Sequence, residues 1–112
     1  MTTITPVQLV APQLLGTVDA SVYSPATNTT AQIGRVVFTN TSASAVTITA
    51  GITAGGALGV SNIMISARTL APGESYVSPE LAGAVLPQGS QLHAYASVAA
   101  SVSFTASGIV IQ

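Results

Sequence analysis

The chain has no cysteine, no tryptophan and no lysine. Without cysteine there is no disulfide framework, no thiolate metal site and no thiol nucleophile. Charge is nearly missing as well. Asp19, Arg35, Arg68, Glu74 and Glu80 make up 4% of the 112 residues, against about a quarter in an ordinary soluble domain. Two arginines cannot neutralise a run of phosphates, which argues against nucleic-acid binding, nor can they hold the chain to an anionic membrane. Three scattered carboxylates make a poor cage for a hard cation, so no metal and no cofactor is expected. No apolar run approaches the roughly 20 residues of a membrane span. The segment MTTITPVQLVAPQ lacks a basic start and is broken by Pro6 and Pro12, which argues against a secretory signal.

What is present is small and β-prone: 18 alanines, 13 serines and 14 threonines within a chain that is 48% hydrophobic. That hydrophobic share argues against disorder, and the length suits one domain. Short alternating runs recur between turn residues at the spacing of sandwiches and barrels. Val36 and Phe38 share a face of one run, and Val46, Ile48, Ala50 and Ile52 share a face of another. Leu92, Ala94, Ala96 and Val98 follow in a third, with Gln91, His93, Tyr95 and Ser97 outward. Val102, Phe104 and Ala106 open the last run, whose phase blurs near Gly108. The expectation is an all-β, antiparallel β-sandwich of seven to eight strands, jelly-roll or Ig-like. Asn28-Thr29-Thr30 and Asn40-Thr41-Ser42 fit a glycosylation pattern but read here as turns. GGALG at 55–59 reads as a flexible loop.

The expected domain division is an extended arm over 1–12 and a single sandwich over 13–112. Pro6 and Pro12 lack the N–H a central strand needs, yet Val7, Leu9 and Val10 are apolar. They are therefore expected to lie against a neighbouring subunit or a shell beneath, the alternative being an edge strand of their own sandwich.

Catalysis finds little to work with. Glu74 and Glu80 flank a turn and a proline, with no third group beside them. His93 is the only imidazole, and a serine triad needs one oriented by an acid. Arg35 and Arg68 fall mid-strand, where each either forms an intrachain ion pair or keeps its end exposed, or reaches a carboxylate or carbonyl of a neighbour. Tyr23, Tyr76 and Tyr95 read as core-edge or subunit contacts rather than a sugar platform. The outward Thr47 and Thr49 form a flat face with no charge, poorly defended against pairing. The candidate interface residues are therefore Val7, Leu9 and Val10, then Arg35, Thr47, Thr49 and Arg68, then His93 and Tyr95. The protein is expected not to be an enzyme.

The ordered stretches LLGT (14–17), VYSPATNTTAQIGRVVFTNTSASAVTIT (22–49), LAPGES (70–75), LPQGSQLHAYAS (86–97) and VSFTASGI (102–109) resemble a group of small β-sandwich proteins of tailed bacteriophage particles. The match covers about residues 14–111. Two departures stand out: Ser90 replaces the group's acidic residue after Gly89, and Arg35 alone remains of its basic residues on the 31–40 strand. The group has no catalytic residues to carry over. The resemblance implies a structural role in a virion assembled in the host cytoplasm. The specific expectation is a capsid decoration (cement) protein, a homotrimer clamping copies of a major capsid protein. A neck, tail or fibre component is the alternative within the virion, and a host- or glycan-binding module the alternative outside it.

Overall fold

The computed structural model describes residues 3–112. Nine strands follow one another: β1 (Ile4–Leu14), β2 (Ser21–Tyr23), β3 (Thr30–Asn40), β4 (Val46–Thr53), β5 (Ile63–Leu70), β6 (Ser75–Val77), β7 (Val85–Leu86), β8 (Gln91–Ala96) and β9 (Val102–Ile111). They form two antiparallel sheets. The first runs β1-β9-β3-β6, with β7 also paired to β3, and the second runs β2-β8-β4-β5. Because β6 and β7 occupy one interrupted strand position beside β3, the chain has eight strand positions. Every connection except the β4–β5 hairpin and the β6–β7 interruption crosses between sheets. That is the jelly-roll arrangement. An immunoglobulin sandwich instead keeps its first two strands in one sheet, whereas β1 and β2 lie in opposite sheets here. The body measures 49 × 26 × 20 Å.

The first residues correct the expectation of a departing arm. β1 pairs along β9 from Ile4↔Ile111 to Leu14↔Ser103 and forms the edge of the first sheet. Leu9 and Val10 belong to the core, and the half-buried Val7 packs against it. The sandwich therefore begins well before residue 13. Thr3 and Gln112 exchange both backbone hydrogen bonds at 2.9 Å. The antiparallel alternation then makes Pro6↔Ile109 a non-bonded pair. The N–H that Pro6 lacks would have pointed at the free edge, where a proline costs nothing.

The core forms where the inward rows of the two sheets meet. Phe38 and Phe104 are fully buried, with ring centroids 5.0 Å apart. Val36, Val46, Ile48 and Leu92 surround them at 0–2% exposure. Val98, expected inward, lies in the connection after β8 and is 50% exposed. Buried with the core is one amide, Asn40, at 0% exposure. Its Nδ2 donates to the carbonyls of Ser44, Leu70 and Ala71, and its Oδ1 accepts from the N–H and hydroxyl of Ser42. The Asn-Thr-Ser turn is thereby tied to the end of β5 in the opposite sheet.

Val46 and Thr47 sit on opposite faces of β4, the first 2% exposed and the second half-buried on the outside. Val46→Asp would bury an unpaired carboxylate, at a cost of several kcal/mol or more, comparable with the roughly 5–15 kcal/mol that holds a domain together. Circular dichroism melts should show Val46→Asp unfolded and Thr47→Asp folded. Equal stability of the two would mean the register of β4 is shifted by one.

Candidate functional site

The outer face of the second sheet carries Thr47, Thr49, Gly51, His93 and Tyr95. Gly51 and His93 are opposed in register, as are Thr49 and Tyr95. Much of this face is turned not to a neighbour but to the chain itself. The segment 54–62 folds back over it, and a Cβ on Gly51 would lie 2.2 Å from the Asn62 carbonyl oxygen and 2.8 Å from Leu58 Cδ2. Only glycine allows that approach, which is why the segment reading as a flexible loop is a fitted cover. Thr49 is buried, its Oγ1 accepting the Ala67 N–H at 3.2 Å. His93 is buried at 6% exposure. These two residues are therefore spent inside the subunit, while Thr47 and Tyr95 are half-buried.

His93 is held from both sides. Its Nδ1 meets Asp19 Oδ1 at 2.6 Å and its Nε2 meets Gln91 Oε1 at 2.9 Å. Asp19 Oδ2 accepts the Leu58 N–H at 2.9 Å, so one carboxylate joins the β1–β2 connection, β8 and the 54–62 cover. Burial alone would raise the Asp19 pKa. The hydrogen bonds from His93 and Leu58 and the imidazole's charge outweigh it and hold the carboxyl below its usual value. The pair is an oriented imidazole without a nucleophile. Ser21 lies opposite His93 in register, but its hydroxyl donates to the Tyr23 carbonyl, and Nε2 is occupied by Gln91. Asp19 was not among the residues singled out from the sequence. It lies 74 residues from His93, and no local pattern links the two.

Arg68 follows an irregularity in β5. Ala67 takes φ 46°, and the register with β4 slips between Ile48↔Arg68 and Ala50↔Ile65. The bulge puts Arg68 on the row of the buried Ile48, and its guanidinium lies 4.0 Å from the centroid of the Tyr76 ring. Tyr76 donates to Glu80 at 2.5 Å, and Ser78 donates to the same oxygen. The Tyr76 hydrogen bond, aided by Ser78 and the nearby Arg68 charge, holds the Glu80 pKa down against burial; burial and Glu80 together push that of Tyr76 up. Arg68 remains exposed, so its charge lies across the rim between edge strands β5 and β6, a placement that also blunts edge pairing. Arg68 thus has an intrachain partner. Arg35 is exposed on the outer face of the first sheet, beside the irregularity between Ile33 and Arg35. The three tyrosines do not converge: Tyr23 packs on the core from β2, Tyr76 lies under Arg68, and Tyr95 faces out from β8.

The outer face of the first sheet is different. The alternation of β9 places Ala106 and Val110 inward, so Ile109 and Ile111 point out. Ile109 is in register with Pro6 and Gln32, and Gln32 with Val85; Ile111 is in register with Ile4 and Thr30. Ile4 is 60% exposed and Val85 54%, while Ile109 and Ile111 are partly covered. Sequence reasoning missed this patch. Its signal is a strand apolar on both faces beyond Gly108, which is where the phase blurred. A groove lies on each side of Ile109, one along Pro6, Gln8 and Ser107 and the other along Gln32, Gly34 and Gly83.

No family model matches the chain, and no curated protein sequence does either. Solved structures do. A chain in the structure of infectious bursal disease virus, Gx strain, superposes with a TM-score of 0.55 at 18% identity, over 99% of this chain and 32% of that one. A chain in the crystal structure of the infectious bursal disease virus VP2 subviral particle gives a TM-score of 0.54 at 18% identity, over 98% of this chain and 32% of the other. This chain therefore spans about a third of the length of those it matches. At that identity the likeness is one of fold: an all-β, two-sheet sandwich.

Because the folded-state pKa of Asp19 is lowered from an unfolded value of about 3.9, its stabilisation is complete above that value and is lost as pH falls toward the folded pKa. Thermal melts from pH 6 to pH 3 should fall less steeply for Asp19→Asn than for the native chain. Parallel curves would show that the Asp19–His93 pair adds nothing to the fold.

Proposed function

We propose that this chain is a structural subunit of a virus particle, and more finely a bacteriophage capsid decoration protein that adds contact area between shell subunits. The observation that carries the reading is a jelly-roll sandwich with almost no charge, whose polar clusters are consumed by internal hydrogen bonds and whose open sheet face is apolar at its Ile4–Ile109–Val85 end. Such a subunit needs no chemistry. It works by removing apolar surface from water, at about 25 cal/mol per Å², and a small gain per copy is multiplied over a repetitive shell.

Two further points support it. The architecture is shared with chains of virus particles, and the turn motifs over residues 14–111 resemble those of tailed-phage particle proteins. The structural neighbours share the fold and not the phage origin, so the phage assignment rests on the motifs alone. The partners in this reading are further copies of the chain and a major capsid protein.

Electron microscopy of purified particles labelled with an antibody to this protein tests the reading. Label over the whole shell is the expected result. Label confined to one vertex or the tail would replace decoration with a neck or tail role, and unlabelled particles would overturn the virion reading.

A further inference from the structure

We infer that the segment 54–62 is a strap latched by the Asp19 carboxylate, and that protonating this carboxylate lets the strap swing off the second sheet while the sandwich stays folded. The strap is the turn of the β4–β5 hairpin, laid back over the sheet where the ladder ends at Gly51↔Ile63. Its own hydrogen bonds make it one piece. Asn62 Oδ1 accepts the Gly59 N–H at 2.7 Å, Asn62 Nδ2 donates to the Ala57 carbonyl, and the N–H groups of Asn62 and Ile63 donate to the Gly59 carbonyl. Gly55, at φ 110°, and Gly56 lead into it, and a Cβ on Gly56 would meet nothing within 4 Å. That is an unobstructed hinge. Beyond its own residues and the adjoining Thr53, one hydrogen bond among the described residues holds the strap: the Leu58 N–H donates to Asp19 Oδ2 at 2.9 Å. No strap residue belongs to the buried core, and the half-buried Leu58 supplies its apolar hold against Gly51. A segment with so little buried and a single tether lies at the low end of local stability and can open by itself.

The tether depends on a charge. Asp19 sits outside the strap, in the β1–β2 connection, and His93 Nδ1 holds its Oδ1 at 2.6 Å, which leaves Oδ2 for Leu58. The Asp19 side chain is 26% exposed, so a proton reaches it with the strap closed. A backbone N–H bonds more strongly to a carboxylate than to a neutral carboxyl, so closure and ionisation favour each other. The lowered pKa of Asp19 has the same sign. Closure is at full strength above the ordinary carboxylate value and weakens as pH falls toward the folded one. Among the described residues, His93 on β8 is the titratable group that faces Asp19. The strap, β4 and the rest of the 15–20 connection contain none, and Tyr23 of β2 packs on the core. Opening uncovers the outer face around Gly51 and its cross-strand neighbour His93, so acid changes the surface that the folded chain presents.

Native-state amide exchange of the full chain, followed by NMR at pH 6 and pH 3 and expressed as protection relative to an unstructured chain, tests this. Leu58 should lose about 5-fold or more of its protection at pH 3, the difference between a charged and a neutral acceptor. Val36 and Phe104, fully buried in the core, should stay at least about 100-fold better protected than Leu58 at both pH values. Asp19→Asn should leave Leu58 weakly protected at pH 6 and pH 3 alike. Gly51→Ala, whose Cβ would strike the Asn62 carbonyl, should free Leu58 at both pH values with the sheets intact by circular dichroism. Equal protection of Leu58 at the two pH values in the native chain, or an acid-dependent fall that survives in Asp19→Asn, would overturn the latch. Leu58 and Phe104 exchanging at one common rate, or an unfolded Gly51→Ala, would show strap and sandwich to be a single unit and overturn the separate opening.

Discussion

The buried amide of Asn40 is the constraint to which one whole end of the sandwich answers. With no exposure to water, each of its polar atoms must find a protein partner or cost about 1–3 kcal/mol. It does so by gathering Ser42 and Ser44 from its own turn and the Leu70 and Ala71 carbonyls from the end of β5. Its backbone is used too: its N–H donates to Glu74 and its carbonyl accepts from Gly73, both at 2.9 Å. One residue thus sets where β3 stops, how the chain turns into β4, and how the β5–β6 connection closes over the sheets. A threonine or serine there would bring one hydroxyl proton, against the two amide hydrogens that Asn40 shares among the three carbonyls. The Phe38–Phe104 contact and the inward rows of β4 and β8 pack in the register that this tie allows.

The same economy accounts for the low charge. Four of the five charged side chains do internal work. Asp19 joins two connections to β8 through His93 and Leu58, and Glu80 receives Tyr76 and Ser78 beside the Arg68 guanidinium. Glu74 caps its own turn by accepting the Ala71 N–H. Arg35 alone lies on an outer sheet face without an ion pair among the described residues. The surfaces left over are rich in hydroxyls on both sheets, except at the Ile4–Ile109–Val85 end of the first, which is aliphatic.

Much of this was legible in the sequence, and what was not has a physical cause. The period-two rows of β3, β4, β8 and the first half of β9 stand where alternation puts them, because each has one face buried and one not. β1 escaped because Pro6 and Pro12 read as breakers, and their tolerance depends on lying at a sheet edge, which is tertiary information. β7 is two residues long, too short for any period. Thr49 and His93 stand on the outer face where the alternation places them, but their burial by Ala67, Asp19 and the 54–62 segment has no local signal. Ile109 and Ile111 point away from the core in a segment apolar on both sides, and such a segment has no phase to read.

The central claim is that the two outer faces differ: one is largely closed by its own chain at Thr49, Gly51 and His93, and the other is open, with aliphatic side chains at one end. Carbene footprinting with mass spectrometry across a dilution series measures both at once. Peptides from β4 and β8 should label weakly at every concentration. Labelling at Ile4 and Val85 should be strong. Labelling of Thr49 and His93 as strong as that of Ile4 and Val85 would contradict the account.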